Sequence, residues 1–346
     1  MPERASGAPA PVVVPGDRQG PPPAVAALGV HVRSGPSRPP DGPPTTDATT
    51  GTAPAVLLDG VDLDVHRGEV LAVVGRRGAG TSTLLSVLSG RTRPSAGTVR
   101  VLGRDPGTGT DDALATLPSQ AALFDHLTVE ETLSLWAGLR SRPGPGTDDL
   151  LDLAGLADAA RVLVRGLDHG RRQRLQLAVT FAGAAPVVVC DEPVGGSAPG
   201  TAPALAALLR RHRADGGTAV VAGGRPEVLQ TADGTRLIEA CDRVAVLRRG
   251  RLVAHAAPAQ LVERSAAHGG LTALLRDAGE ASSLAAALPG ATFQRVGDLT
   301  RVDVPDVAPQ RWRTLAAGLG TLREVHHHHA TLADAVRRVT ADRRRP

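Results

Sequence analysis

The fold of this chain is decided by residues 69–88, EVLAVVGRRGAGTSTLLSVL, where an apolar run meets a glycine-rich turn and then a helical pattern. The continuous apolar residues 70–74 are typical of a strand that is buried on both faces. Glycines in the following turn let backbone N–H groups point at phosphate oxygens, and the start of the next helix adds positive potential. A strand, a glycine loop and a helix in this order predict a P-loop, in which Ser82 offers a hydroxyl to Mg²⁺.

Strands and helices alternate on both sides of this loop, which predicts an α/β sheet with ligands at the carboxyl ends of its strands. The pattern predicts strands at 24–32, 56–65, 98–102, 187–190 and 218–222, a hairpin over 244–254 and a mainly helical segment from about 110 to 185. We expect the first of these strands at a sheet edge, because low-complexity sequence precedes and follows it.

Three regions differ in composition. Residues 1–54 are mostly Pro, Gly, Ala and Thr and, apart from the edge strand, cannot bury enough surface to fold. Residues 55–266 form the predicted main domain, with the helical subdomain at about 110–185. Residues 267–346 are predicted to form a small α+β accessory domain ending in an arginine-rich tail. That tail is either solvated or attracted to an anionic membrane surface.

The composition excludes several kinds of chemistry. All 39 basic residues are arginine, because the sequence contains no lysine, and neither a Schiff base nor a lysine nucleophile is available. Asparagine and tyrosine are also absent, which is typical of a GC-rich, bacterial genome. Two cysteines, Cys190 and Cys241, are too few for a disulfide framework or a cysteine zinc site, which favours a reducing cytoplasm.

Targeting and charge also bound the function. Residues 1–20 lack the apolar core of a signal peptide, and the apolar stretch Leu175–Cys190 is too short to span a bilayer. We therefore expect a soluble chain. The net charge is only +4, so the isoelectric point near 10.5 reflects the missing lysine and tyrosine, and we expect no nucleic-acid partner.

Three stretches resemble the ATP-binding subunits of ABC transporters: LLDGVDLDVHRGEV at 57–70, STLLSVLSGRTRPSAGTVRVLGRD at 82–105 and CDRVAVLRRGRLV at 241–253. A fourth, TLADAVRRVT at 331–340, is similar to the C-terminal end of drug-export ATPases of the daunorubicin-resistance type. The resemblance implies an ABC-type P-loop NTPase fold, with a mixed β-sheet, a helical subdomain and a small C-terminal α+β domain. It also implies ATP and Mg²⁺ as ligands, a membrane permease as partner at the cytoplasmic membrane face, and a homodimer or a heterodimer of ATP-binding subunits.

The nucleotide loop carries one substitution that matters. The resemblance assigns nucleotide binding to Gly75, Arg76, Arg77, Gly78, Ala79, Gly80, Thr81, Ser82 and Thr83. The lysine of the family's loop falls on Thr81, and the loss of a charge-assisted hydrogen bond of roughly 1.5–3 kcal/mol lowers affinity about 10- to 150-fold. The arginines at 76 and 77 either compensate partly or are solvated on the shoulder of the loop.

Two further family motifs are altered. The glutamine of the family's Q-loop falls on Ser119, and Gln120, one residue later, is the remaining candidate for this nucleotide-side role. The family signature LSGGQ falls on Leu167, Asp168, His169, Gly170 and Arg171. There the aspartate puts a carboxylate where the partner's triphosphate docks, and the histidine adds bulk where glycine allows close approach.

The acidic pair is retained. The resemblance assigns Asp191 to Mg²⁺, together with Ser82, and Glu192 to the attacking water as general base. A structural alternative is that the pair is only a helix-cap remnant. The family's D-loop aspartate falls on Ala198 and its switch histidine on Gly224.

Two other features complete the candidate set. The aromatic residue that stacks on adenine has no counterpart upstream of the loop, where His31 is a poor substitute. His326–His329 alternates faces along a predicted strand, so at most two side chains converge, and we expect a solvated strand and not a metal site.

These changes lead to one hypothesis and its alternatives. We expect an exporter subunit with weak or lost ATP and Mg²⁺ binding, peripheral at the inner membrane face, that acts with a permease, with or without a competent ATPase partner. The first alternative is an active ATPase that uses its loop arginines and Glu192. The second is a soluble regulatory or adaptor protein without a permease, and the third is a reading frame without selected function.

Overall fold

The computed structural model describes residues 12–13, 21–34, 55–108, 113–117, 123–140, 142–194, 198, 200–223, 237–265, 270–288, 291–304, 307–327 and 330–340. The chain divides into two compact units between Ala256 and Ala257, and each is described by itself. The division falls before the predicted domain boundary at 266/267.

The strands in the described residues are β1 (Val12–Val13), β2 (Val25–Arg33), β3 (Val56–Val65), β4 (Val70–Gly75), β5 (Ala96–Val101), β6 (Leu114–Thr116), β7 (Val187–Asp191), β8 (Thr218–Gly223), β9 (Arg243–Arg248), β10 (Arg251–Ala256), β11 (Leu271–Leu275), β12 (Thr292–Val296), β13 (Leu299–Val304) and β14 (Leu322–His327). The α-helices are α1 (Thr81–Leu88), α2 (Val129–Gly138), α3 (Thr147–Leu153), α4 (His169–Phe181), α5 (Thr201–Ala214), α6 (Pro258–Arg264), α7 (Ala278–Ala287), α8 (Pro309–Ala316) and α9 (Leu332–Thr340). Short 3-10 turns lie at Ala157–Ala159, Val164–Gly166 and Leu237–Ala240.

The main sheet of the first unit has the strand order β1-β10-β9-β4-β8-β7-β6. Its centre is parallel, with β4 between β9 and β8. β10 is an antiparallel neighbour of β9, and β1 lies parallel to β10 at the edge. All residues of β4 and β8 are buried, as the continuous apolar runs predict for strands covered on both faces. The predicted α/β P-loop fold with a mixed sheet is confirmed.

A second, three-stranded antiparallel sheet has the order β3-β2-β5. Its middle strand is β2, so the prediction of an edge strand at 24–32 is wrong. Val25 pairs with Val65 on one side and with Val101 on the other, and all three side chains are fully buried. The two partner strands are distant from β2 in sequence. The low-complexity stretches beside β2 therefore gave no sign of them and suggested an edge.

The segment predicted to be helical from 110 to 185 begins with a strand. Leu114–Thr116, β6, pairs in parallel with β7 and extends the main sheet, so the prediction is wrong there. Helices α2, α3 and α4 then follow. The first of these begins with a capping box, in which Thr128 Oγ1 accepts a hydrogen bond from Glu131 N and Glu131 Oε2 accepts one from Thr128 N.

The second unit contains a four-stranded antiparallel sheet in the order β12-β13-β11-β14. With α7 after β11 and α8 after β13, the order along the chain is β-α-β-β-α-β, a split arrangement found in ferredoxin-like domains. Its core joins Leu271, Ala273 and Val302 of the sheet to Leu284 of α7 and Trp312 of α8. This unit has the α+β character that the sequence predicts.

Candidate functional site

The glycine loop connects β4, the central strand of the main sheet, to α1. A Cβ atom on Gly75 would lie 2.6 Å from Ala79 Cβ and 2.8 Å from Leu247 O, so the loop folds back over the strand end only because this residue is glycine. Gly80 has φ +101°, which also favours glycine, and it forms the N-cap of α1 without a side-chain hydrogen bond. The helix therefore presents an N-terminus that no side chain of its cap residue covers.

Thr81 occupies the first turn of α1 and is only 8% exposed. Its methyl carbon Cγ2 lies beside Gly75, within 3.4 Å of the position that a Cβ there would take. Arg76 and Arg77 are exposed at the start of the loop. The lysine position therefore holds a short, buried and uncharged side chain, while the two arginines of the loop are exposed.

Ser82 and Asp191 come together from different elements. Ser82 Oγ on α1 donates a hydrogen bond of 3.2 Å to Asp191 Oδ1 at the end of β7. Burial raises the pKa of the Asp191 carboxyl, and Glu192 adds to the rise, while the serine hydroxyl and Arg91 oppose it. A hydroxyl and a carboxylate in this position are oxygen ligands of the kind that Mg²⁺ prefers.

Glu192 follows β7 with an unusual backbone conformation. Its φ is +46°, and its N–H donates a hydrogen bond of 2.9 Å to Ala222 O on β8. Its side chain is exposed at the carboxyl end of the parallel strands. A non-glycine residue with positive φ is uncommon, and this one lies at the end of the sheet where the glycine loop also lies. Two residues before Glu192, the Cys190 thiol is buried on β7, and this burial raises its pKa to about 12.

The signature segment forms the start of α4, where Asp168 is the N-cap. Asp168 Oδ1 accepts a hydrogen bond of 2.8 Å from Arg171 N, and this bond lowers the pKa of the carboxyl. His169 is exposed and Gly170 is buried. The backbone donor that an incoming phosphate would use at this helix N-terminus is therefore already bound by the chain's own carboxylate.

The last side chain of the signature, Arg171, and the two that follow it anchor α4, and the sequence assigned no role to Arg172 and Gln173. Arg171 forms an ion pair with Asp158, and Arg172 forms one of 2.9 Å with Asp125. Gln173 Nε2 donates to Pro193 O at 3.1 Å, directly beyond the acidic pair, and so links the signature helix to the end of β7. Only the register of the signature could have suggested this glutamine.

Several predicted site residues lie elsewhere. Gln120 and Gly224 lie outside the described residues, as do Ser119 and the last two histidines of His326–His329. Ala198 is described and is partly buried before α5. His31 Nδ1 lies 3.4 Å from Asp59 Oδ1, and His326 Nε2 lies 3.2 Å from Glu324 Oε2 on β14.

Two further observations concern metal-binding groups and membrane-spanning helices in the described part of the chain. Within the described residues, His, Cys, Asp and Glu side chains form no group of three suited to a metal ion. In the same part of the chain, no helix combines the length and the apolar character that crossing a bilayer requires.

The arrangement fits part of a nucleotide and its metal. The glycine loop, the N-terminus of α1 and the pair of Ser82 with Asp191 suit phosphate oxygens and Mg²⁺, which when bound would neutralise phosphate charge. Thr81 supplies no cation to the same phosphates. The exposed start of α4 carries a carboxylate, Asp168, which repels a phosphate.

Known proteins share this sequence pattern. Residues 58–195 match the family model described as ABC transporter. Phospholipid-transporting ATPase ABCA7 of Homo sapiens is 34% identical over 215 residues, which are 60% of this chain and 10% of that protein. Methionine import ATP-binding protein MetN of Mesorhizobium japonicum is 34% identical over 59% of this chain and 56% of its own length. MetN 2 of Paraburkholderia xenovorans is 34% identical over 66% of this chain and 60% of its own length.

Solved structures share the fold. A dimeric post-hydrolysis structure of the ATP-binding cassette MJ0796 with ADP and Pi has a TM-score of 0.52 at 20% identity and covers 67% of this chain and 97% of its own. An ATP binding subunit of an ABC transporter has a TM-score of 0.53, also at 20% identity, over 70% of this chain and 92% of its own. The matches to the methionine importers span little more than half of those proteins. Residues 58–195 of this chain thus resemble ABC transporter proteins, and the chain shares the fold of solved ATP-binding cassettes.

Proposed function

We propose that this chain is the nucleotide-binding subunit of an ABC exporter and that its own phosphate site is impaired. The observation that carries the proposal is Thr81, a buried and uncharged residue at the position where the family places its lysine. Asp168 supports it, because its carboxylate caps the helix that would face a partner's ATP. The apolar core beneath α1 is formed, and Leu175 and Leu177 of α4 are fully buried, as expected for a subunit that keeps its shape and acts with a competent ATPase partner.

The direction of transport rests on the C-terminal segment. The similar proteins include a phospholipid transporter and methionine importers, so their names do not favour one direction. The stretch TLADAVRRVT resembles drug-export ATPases, and its residues 332–340 form α9. We propose an exporter of the daunorubicin-resistance type on this resemblance, docked on a permease at the cytoplasmic membrane face.

Calorimetric titration of the purified chain with MgATP tests the impaired site. We expect Thr81→Lys to raise the affinity about 10- to 150-fold, because it restores a charge-assisted hydrogen bond to phosphate. Thr81→Val, which keeps the size of the side chain and adds no charge, is the matched control and should bind MgATP like the unchanged chain. Equal affinity of the lysine variant and the unchanged chain would contradict the proposal.

A second candidate function, an active ATPase, is favoured by the hydrogen bond between Ser82 and Asp191 and by the exposed carboxylate of Glu192. Steady-state phosphate release by the unchanged chain that Glu192→Gln abolishes would establish this candidate. Release at the background rate from both proteins favours the impaired subunit.

The partners are tested by coexpression. We expect a stable complex when the chain is coexpressed with the permease and the second ATP-binding subunit encoded nearest to its gene. We also expect ATP hydrolysis by that complex to need the glutamate of the second subunit and to be insensitive to Glu192→Gln. A chain that remains monomeric beside every neighbouring membrane protein would favour the adaptor alternative.

A further inference from the structure

A cavity of about 490 Å³ opens in the first unit at the end of the sheet opposite to the glycine loop. Pro186 and Gly217 line it, and they directly precede β7 and β8, while Arg67 lies in the turn before β4. The glycine loop and the acidic pair follow the carboxyl ends of β4 and β7. The cavity is therefore separate from the candidate nucleotide site.

The walls of the cavity come from the helical segment and from α5. Residues 142–145, between α2 and α3, form one wall with residues 183–185, which follow α4, and a β-bridge joins Pro143 to Gly183. The C-terminal end of α5 forms the opposite wall. A ligand here would contact both the helical segment and the starts of the central strands.

The cavity has an excess of positive charge. Arg67, Arg142 and Arg211 line it, against one carboxylate, Asp215. Arg211 Nε donates to Asp215 Oδ2 at 2.9 Å, and Arg211 also pairs with Asp149, so this arginine is compensated. Arg67 and Arg142 are exposed and have no ion-pair partner within the described ranges. Guanidinium groups without an ion-pair partner are suited to binding a carboxylate, sulfonate or phosphate group of a ligand.

Part of the remaining lining is apolar. Phe181 and Leu208 lie in the wall but are only 3% and 1% exposed, so Leu153, Pro143 and Pro145 present the accessible apolar surface. His212 packs edge-on against the phenyl ring with centroids 5.5 Å apart, and its Nε2 lies 3.1 Å from Thr218 O. Burial lowers the pKa of this imidazole, which keeps it neutral and makes it part of the apolar wall.

We propose that this cavity binds an amphipathic organic anion, with its acidic group toward Arg67 and Arg142 and its apolar body against Leu153, Pro143 and Pro145. The volume lies within the range of about 300–1,000 Å³ that small-molecule sites occupy. The charge excess selects the anion, and the aliphatic surface of Leu153 and the two prolines favours a ligand with an apolar body over a purely ionic one. The site does not depend on the proposed transport function.

Fluorescence titration of the full chain with 8-anilino-1-naphthalenesulfonate tests the proposal. We expect saturable binding with one site per chain, and a loss of affinity of at least about tenfold in the double variant Arg67→Gln/Arg142→Gln. Arg210→Gln is the matched control, because Arg210 is an exposed arginine of α5 that is not part of the cavity lining. Arg142→Lys keeps the charge and should retain most of the affinity.

Competition and folding controls complete the experiment. Sodium octanoate should displace the dye, whereas inorganic phosphate at the same concentration should not, because it has no apolar body. The thermal midpoint of each variant should match that of the unchanged chain, since both arginines are exposed. Unchanged affinity in the double variant, an equal loss in Arg210→Gln, or equal displacement by phosphate would overturn the proposal.

Discussion

His255 is a histidine held inside the core. It lies on β10, is only 3% exposed, and its Nε2 atom has no hydrogen-bond partner among the described residues. Burial lowers its pKa to about 4, with Arg243 and His66 contributing and Asp64 opposing. The folded chain therefore keeps the imidazole neutral at a pH where the unfolded chain, with an ordinary pKa near 6.5, binds a proton.

This residue makes stability depend on pH in a known direction. Between about pH 6.5 and pH 4 the unfolded state binds more protons, so the free energy of unfolding falls as the pH falls, by up to about 3 kcal/mol for His255. We expect His255→Leu to remove this part of the dependence of the unfolding free energy on pH. Relative to the unchanged chain, the variant should therefore be more stable at pH 5 than it is at pH 8. Thermal unfolding across this pH range, with the exposed His126→Gln as control, measures it. A slope that is the same in His255→Leu and in the unchanged chain would contradict the assignment.

At the scale of one element, the capping box of α2 is a local and testable contribution to stability. Thr128 satisfies the N–H of Glu131 at the start of the helix, and the glutamate returns the bond. We expect Thr128→Ala to lower the free energy of unfolding by about 1 kcal/mol. Trp136 lies on the same helix, so its fluorescence during urea unfolding, in a Trp312→Phe background, reports the effect.

The control for this change is Ser134→Ala, which alters an exposed residue of the same helix. We expect it to shift the free energy of unfolding by less than about 0.5 kcal/mol. Equal unfolding midpoints for Thr128→Ala and Ser134→Ala would show that the capping box contributes nothing to stability.

Elements also differ in how far their structure follows from sequence. The glycine loop was predictable because β4, the loop and α1 are consecutive, and their residue types alone define the motif. The central position of β2 was not, because the pairing of Val25 with Val65 and Val101 joins strands that are distant along the chain. The short strand β6 was missed because three residues are too few to establish a period of two.

The candidate site divides in the same way. The resemblance located Ser82 and Asp191 separately, but their 3.2 Å contact depends on how α1 and β7 pack. The sequence showed that Asp168 adds a negative charge to the signature motif, whereas its role as the N-cap of α4 became evident only from the backbone geometry. Arg91, which favours the charged form of Asp191, carries no sequence signal at all.

At the scale of the whole molecule, the second unit has a core of its own. Leu271, Ala273 and Val302 pack with α7 and with Trp312, which is 6% exposed. We expect the fragment 257–346 to fold alone and to unfold in one cooperative transition. Trp312 is the only tryptophan of this fragment, so a red shift of its emission on heating follows the core directly. A gradual, non-cooperative shift would show that the unit needs the rest of the chain.

The burial of Cys190 gives this chain an intrinsic reporter of local opening. The thiol lies directly before Asp191 on a strand held between β6 and β8, and with a pKa of about 12 it is protonated and shielded in the closed sheet. A thiol reagent can modify it only after these strands separate. In a Cys241→Ser background, which leaves one thiol, the modification rate therefore measures how often the sheet opens beneath the acidic pair without an added label.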